Sequence, residues 1–247
     1  MATSRRSFIL MLGAFVLVLA GSCAVLTFPT TTRQGIDYRV TTHSIPLYVK
    51  AIDFLQRHYQ YELLAGRICS GKSSDADCVS AIFEWTHENI PATPPGWPVV
   101  DNHTLTTIIR GHGKADQIAD VFTTLSTYAG MSAFFTHVID PDSGVDIVLS
   151  FACVGGEWVP FDVERHVSFR HETGRLASVQ ALVEDPSLVD VATKGLLHDD
   201  LRYSAFISKS TLMPFVPPRW SHADLQRPWP RVGYELRRLV GWESEPN

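Results

Sequence analysis

The residues best placed for chemistry lie in three short runs: Gly113-Lys114-Ala115-Asp116-Gln117-Ile118-Ala119, Asp146-Ile147-Val148-Leu149-Ser150-Phe151 and Gly156-Glu157-Trp158-Val159-Pro160-Phe161-Asp162. Two carboxylates that share a cleft raise one pKa of the pair and can do acid–base work, so Asp146 and Asp162 are candidates if both face one site. Covalent chemistry would need a thiol activated at a helix N-terminus or beside an imidazole. The helix start at Lys114–Ala115 offers a methyl group instead, and no cysteine lies between Cys78 and Cys153. Cys153 falls inside an apolar run, away from any helix terminus, and reads as a small structural hydrophobe. Ser126 lies about three turns into the helix, where packing is the ordinary role.

Ten histidines raise the question of a metal. His166 and His171 sit near Glu164 and Glu172, with His112 and His137 elsewhere, but no H-E-x-x-H or C-x-x-C run accompanies them. No metal and no cofactor is therefore expected. His112 reads as a solvated loop histidine that reaches a binding cleft only if its loop turns inward. Cys69 and Cys78 enclose the polar loop SGKSSDAD, a C-x8-C spacing that fits none of the common zinc sites. Outside the cytoplasm the two form a candidate disulfide.

Helical and strand-like segments must position these runs. Apolar residues at Tyr48, Ile52, Leu55, Tyr59 and Leu63 predict a helix over 46–64. A second is expected over 77–89, a short one over 104–110, and the best of all over 114–129, closed by Gly130. Strands follow at 134–139, 146–154 and 157–162, the last two joined at Gly155-Gly156. Beyond Asp185 the pattern loosens, and Pro214, Pro217, Pro218, Pro228 and Pro230 predict an irregular arm. Helices followed by antiparallel strands make the fold class α+β.

This order, with glycines before the central helix and a Trp158-containing strand that ends at Asp162, resembles the transglutaminase-like superfamily. The resemblance covers roughly residues 77–188, where Phe169, Gly174, Leu176-Ala177-Ser178, Leu182 and Pro186 extend it. It implies a papain-like core, helices packed on an antiparallel sheet, with a Cys-His-Asp triad. Gly113 to Ala119 lies on the family's cysteine motif, the Asp146 run on its histidine strand and the Gly156 run on its aspartate strand. The triad positions are then Ala115, Asp146 and Asp162, of which only Asp162 keeps the family's residue. The resemblance therefore implies a degenerate member with no intact catalytic set.

The N-terminal segment sets the location. Arg5 and Arg6 precede the run FILMLGAFVLVLAGSCAVLTF, Phe8 to Phe28, and no further charge occurs before Arg33. That run is long enough to span a bilayer, and flanking arginines favour a cytoplasmic N-terminus. The alternatives are a cleaved signal around Ser22-Cys23-Ala24 or a lipoprotein signal at Cys23, which would give a secreted protein or a lipoprotein; Ser4-Arg5-Arg6-Ser7-Phe8-Ile9 also resembles a twin-arginine export signal. The organisation expected is a membrane anchor or signal at 1–29, a linker at 30–45, the domain at 46–200 and a Pro/Trp/Arg-rich arm at 201–247. A net charge of −5 gives no basic patch for nucleic acid. The expected role is a periplasmic, membrane-tethered binding or scaffold module, and the alternative is a hydrolase or acyltransferase with an unconventional nucleophile. Trp158, His112, Trp220 and Trp229 are the candidate binding residues. The expected partner is an envelope or membrane protein, or a surface-polymer component.

Overall fold

The computed structural model describes residues 2–36, 39–99, 101–199 and 201–242. The chain divides into two compact units, Met1–Gln56 and Arg57–Asn247.

The first unit opens with α1 (Ala2–Leu26). Within it, Phe8–Leu26 is a 19-residue stretch of mean hydropathy 2.6, no part of it buried. At ~1.5 Å per residue it reaches about 28 Å, long and apolar enough to cross a membrane. The segment expected as a linker is instead a hairpin of β1 (Pro29–Ile36) and β2 (Arg39–Pro46), paired antiparallel from Pro29↔Pro46 to Ile36↔Arg39. Residues 37 and 38 of the expected linker lie outside the described residues. The polar reading missed the threonines at 30–32 and 41–42, which are β-branched and favour extended backbone. The helix α2 (Leu47–Ile68) follows, and the boundary between the units falls within it. The stripe that predicted this helix faces outward: Ile52, Tyr59 and Leu63 are more than half exposed. The packed side is Tyr61, Leu64, Ala65 and Ile68.

In the second unit α3 (Asp75–Asn89) begins at Ser74, whose hydroxyl accepts the Asp77 N–H at 3.2 Å, a regular N-cap. A disulfide joins Cys69 to Cys78 and so ties the end of α2 to the first turn of α3. The short α4 (Thr104–Arg110) leads into α5 (Ala115–Tyr128), which is buried on all sides from Gln117 to Thr127. Gly130 ends that helix region at φ 97°, a backbone that favours glycine.

A four-stranded antiparallel sheet runs β3 (Ala133–Ile139), β4 (Asp146–Val154), β5 (Glu157–Asp162), β6 (Val167–Ser168) in spatial as in sequence order. Side chains alternate across it, as the two-residue period requires. Ala152, Val159 and Phe161 join Phe83 of α3 and Ile118, Val121, Phe122 and Leu125 of α5 on one face. Ile147, Leu149 and Phe151 join the opposite layer, which holds Leu182 of α6 (Val179–Glu184), Val189 of α7 (Ser187–Thr193) and, beyond the short hairpin β7 (Leu197–His198) and β8 (Leu201–Arg202), Tyr203 and Phe206 of α8 (Tyr203–Phe206). The sheet is thus covered on both sides, and the α+β class stands.

The arm expected at 201–247 is neither separate nor wholly irregular. After α9 (Lys209–Leu212) come a 3-10 turn at Asp224–Gln226 and the helix α10 (Pro228–Leu239). Ile207, Leu212, Leu225 and Tyr234 are buried. Pro228 and Pro230 open α10 instead of breaking it, because the first turn needs no N–H donors. The last residues of the expected arm, 243–247, lie outside the described residues. Phe122 is wholly buried between Phe83 and Phe161, with ring centres 6.4 and 5.0 Å away. Its replacement by alanine should cost about 3–5 kcal/mol in urea unfolding followed by tryptophan fluorescence.

Candidate functional site

The start of α5 is closed by the side chain of Gln117. Its Oε1 accepts the Lys114 backbone N–H at 3.0 Å and Arg110 Nη2 at 2.9 Å. Its Nε2 donates to the Asp101 carbonyl at 3.0 Å and to Asn102 Oδ1 at 2.8 Å. Gly113 is the residue that lets this happen, since a Cβ there would stand 3.1 Å from both Gln117 Cβ and Thr107 Cγ2. The loop before it is pinned to residues 91–93, with Gly113 N–H donating to the Pro91 carbonyl at 3.1 Å and Thr93 N–H to the Gly113 carbonyl at 2.8 Å. Ala115, the first helical residue, contributes only its methyl group.

His112 departs from the solvated loop position expected of it. It is 8% exposed, its Nδ1 lies 3.0 Å from Thr93 Oγ1, and Trp97 meets its ring edge-on at 5.4 Å. Burial, then the Arg110 charge, hold its pKa below the ordinary value. The loop that carries Thr93 and Trp97 folds over the ring, a closure that no local pattern encodes.

The two carboxylates of the family pattern have different surroundings and no direct bond. Asp146 is half exposed at the start of β4 and pairs with His137 Nδ1 of β3 at 2.5 Å. Asp162 is fully buried at the end of β5. It accepts Arg165 N–H at 3.0 Å, Arg165 Nη1 at 3.0 Å and the Tyr203 hydroxyl. Burial lifts the Asp162 carboxyl above its ordinary pKa, and the Arg165 guanidinium pulls the other way. A chain continues outward: Arg165 Nη2 lies 2.8 Å from His198 Nδ1, and His198 Nε2 lies 3.1 Å from the Asp146 carbonyl oxygen. A guanidinium can only donate, so Nδ1 accepts and the proton sits on Nε2, donating to Asp146. Tyr203, Asp162, Arg165, His198 and the Asp146 backbone thus form one polar string. Asp162 is engaged in it by three donors, none of them an imidazole. Arg165, three residues past Asp162, was readable as a turn partner; His198 and Tyr203 come from too far along the chain to leave a local signal.

A second polar knot lies deeper along α5. Asp120 accepts Thr104 Oγ1 at 2.5 Å and pairs with His222 Nδ1 at 2.7 Å, which ties the C-terminal segment to the central helix. The Asp120 charge raises the His222 pKa above its usual value, against the smaller effect of desolvation. The phenol of Tyr61 is buried nearby, and burial, reinforced by Asp120, pushes it far up.

The other expected residues are scattered. Trp158 is half buried against Phe134 and Phe215, at ring distances of 5.3 and 6.0 Å, and packs the interior of the fold as His112 does. Trp220 is partly buried, and its indole N–H has no partner. Trp229 is 84% exposed on α10, in line with exposed Val232, Leu236 and Leu239. Cys153 is a half-buried free thiol opposite Trp158. His166 pairs with Glu84 at 2.7 Å and stacks on His87 at 4.2 Å. Among the described residues no group of three or more His, Cys, Asp or Glu side chains converges.

No family model matches the chain, and no curated protein does. Solved structures similar to it include a candidate cysteine protease from Cytophaga hutchinsonii, 21% identical with a TM-score of 0.38 over 51% of this chain and 45% of that one. A candidate protease from Parabacteroides distasonis is 13% identical, TM-score 0.35, over 54% of this chain and 35% of that one. A protein described as a TGase is 12% identical, TM-score 0.34, over 54% and 43%. The chain spans less than half the length of each.

Two outcomes follow from the polar partners. Arg165→Gln removes the charge that compensates buried Asp162 and should cost about 3–5 kcal/mol near pH 7. The raised pKa of Asp162 sets the sign: its protonated form suits the folded state, so the loss should shrink as pH falls through that pKa in urea titrations. For His222 the folded pKa is raised, so its tie to Asp120 is fully present below about 6.5 and is lost as pH rises through the folded value. His222→Ala should therefore lower the unfolding midpoint at pH 6 and have a smaller effect at pH 9.

Proposed function

We propose that the chain is a membrane-tethered, exported transglutaminase-like pseudoenzyme that works as a binding or scaffold module in the cell envelope. The observation that carries the reading is the start of α5. The family pattern needs an activated thiol there; this chain has the methyl group of Ala115, beside a helix end already closed by Gln117. The other pattern positions lie at the start of β4 and the end of β5, as the resemblance implies, but Asp146 is a carboxylate and Asp162 is engaged by Arg165 and Tyr203. A methyl group cannot attack a carbonyl, and a carboxylate occupied by a guanidinium and a phenol has little capacity left to orient a base.

The apolar run of α1 supports the tether, with the two arginines keeping the N-terminus in the cytoplasm and the domain on the periplasmic side. The Cys69–Cys78 disulfide supports an oxidising compartment. Cleavage near Cys23 would instead give a secreted protein or a lipoprotein. The partner is an envelope or membrane protein, or a surface-polymer component. The exposed apolar line of α10 with Trp229 supports a contact surface outside the degenerate cleft.

A second reading, a hydrolase or acyltransferase of the same fold, is favoured by one observation: the His137–Asp146 pair has the geometry of a base and its orienting carboxylate. The assay that separates the two is amine incorporation into a glutaminyl peptide, and its hydrolysis, by the purified full chain in detergent. The pseudoenzyme reading expects rates equal to the protein-free blank. Turnover that disappears in Cys153→Ala or His137→Gln would overturn it.

A further inference from the structure

We propose that the groove along the free edge of β3 receives an extended segment of another polypeptide, which adds to the sheet as a fifth strand. The proposal rests on the reading of the domain as a binding module and names where and how it binds.

The hydrogen-bond register fixes which backbone groups are available. Cys153 N–H donates to the Ser132 carbonyl at 2.8 Å, and Ala133 stands opposite Ala152. In an antiparallel ladder this makes Ala133↔Ala152 a pair without mutual bonds, and the same holds at every second pair. Phe135, His137 and Ile139 therefore turn their N–H and C=O groups away from β4. The sheet order puts β3 at the edge, and among the described residues no strand pairs with its outer side. Among the described residues those outward N–H groups have no acceptor, and the His137 carbonyl meets only the Thr136 hydroxyl, at 3.5 Å, too long to hold it. Seven residues at ~3.3 Å each present an edge of about 23 Å.

Exposed edges of this kind are ordinarily blunted by charge, proline, a bulge, brevity or a helix or loop packed over them. The sequence AFFTHVI carries no lysine, acid, proline or glycine, and its pairing with β4 is unbroken from Ala133 to Ile139. What stands beside the edge is not a strand but the proline-rich stretch that begins at Pro214. It leaves a groove of about 790 Å³, floored by residues 134–139 and walled by Phe215, Val216, Pro218 and Trp220. Pro214 and Pro218 of this wall have no N–H to add to the ladder, and among the described residues no bond joins the wall to the β3 backbone. Trp220 belongs to that wall, and its indole N–H is buried with no acceptor among the described residues. The whole arrangement lacks what an extended peptide supplies: carbonyls and N–H groups at two-residue spacing, with apolar side chains for the aromatic wall. A free segment suits the groove better than the edge of a second folded copy, since about 790 Å³ between β3 and the wall is room on the scale of one short strand and not of a second sheet.

The probe is the peptide Lys-Val-Thr-Val-Thr-Val-Thr-Lys, capped at both ends, added to the full chain in detergent micelles and followed by amide hydrogen exchange. Saturating peptide should slow exchange at Phe135, His137 and Ile139 at least tenfold and leave the already bonded amides of Phe134, Thr136 and Val138 unchanged. The same peptide N-methylated at alternate residues should bind at least tenfold more weakly. Val216→Lys, at a 76% exposed position of the wall, should weaken binding without loss of folding. No slowing at the three outward amides, equal slowing at both sets, or equal binding of the N-methylated peptide would each overturn the proposal. Slowing that grows with protein concentration in the absence of peptide would assign the edge to a second copy and overturn it as well. None of these results depends on whether amine incorporation is found, so the groove and the pseudoenzyme reading fail separately.

Discussion

A carboxylate buried at the end of a strand must be neutralised or protonated, and the way this chain meets that demand at Asp162 organises the far side of its sheet. An unpaired charge there would cost several kcal/mol. The guanidinium of Arg165, three residues on, and the hydroxyl of Tyr203 from α8 supply the compensation. Because Arg165 also reaches His198, and His198 reaches the backbone of Asp146, one carboxylate draws together the β5–β6 turn, the β7–β8 hairpin, α8 and the start of β4. In the family that the sequence resembles, the corresponding aspartate orients a histidine. In this chain Asp162 is a structural anchor, its oxygens engaged by Arg165 and Tyr203.

The start of α5 is likewise bound into the packing. A helix N-terminus presents unpaired N–H groups and a partial positive charge, which is what makes it a good place for a thiolate. Gln117 reaches back over that end, capping Lys114 and linking Arg110, Asp101 and Asn102 into one cluster. The approach depends on Gly113, where any larger residue would press on Gln117 and Thr107. Gly113 thus serves the packing of the helix start.

How much of this the sequence announced depends on the range of the interaction. The helices α3, α4 and α5 and the strands β3, β4 and β5 were legible because periodicity, glycines and turns act over a few residues. The β1–β2 hairpin was not, since threonine-rich polar sequence suits a linker and a strand alike. The α2 stripe at Ile52, Tyr59 and Leu63 predicted the right helix, yet those residues are exposed and Tyr61, Leu64, Ala65 and Ile68 are packed; period alone does not say which side finds a partner. Prolines misled at α10, where Pro228 and Pro230 fall in the one turn that tolerates them. The polar string was the least legible part. Asp162 could be picked out by pattern, but His198 and Tyr203 lie 36 and 41 residues beyond it, and only the folded topology brings them near. His112 was misjudged for the same reason, its cover coming from Thr93 and Trp97 of another loop.

The proposed tether and the open edge of β3 make sense of one another. An edge strand free to pair is a hazard in a protein that diffuses, because any extended segment, including that of an unfolded neighbour, can add to it. Fixing the domain at a membrane restricts what it meets, and raises the effective concentration of any partner held at the same surface. Backbone pairing is also undemanding of sequence: its affinity comes from main-chain bonds, while the wall of the groove selects among side chains. A tethered domain with such a groove can hold a weakly conserved, extended segment that would escape it in free solution. On the proposed reading a methyl group at the start of α5 and an N-terminal anchor belong to one mode of action, in which retention at a surface takes the place of turnover.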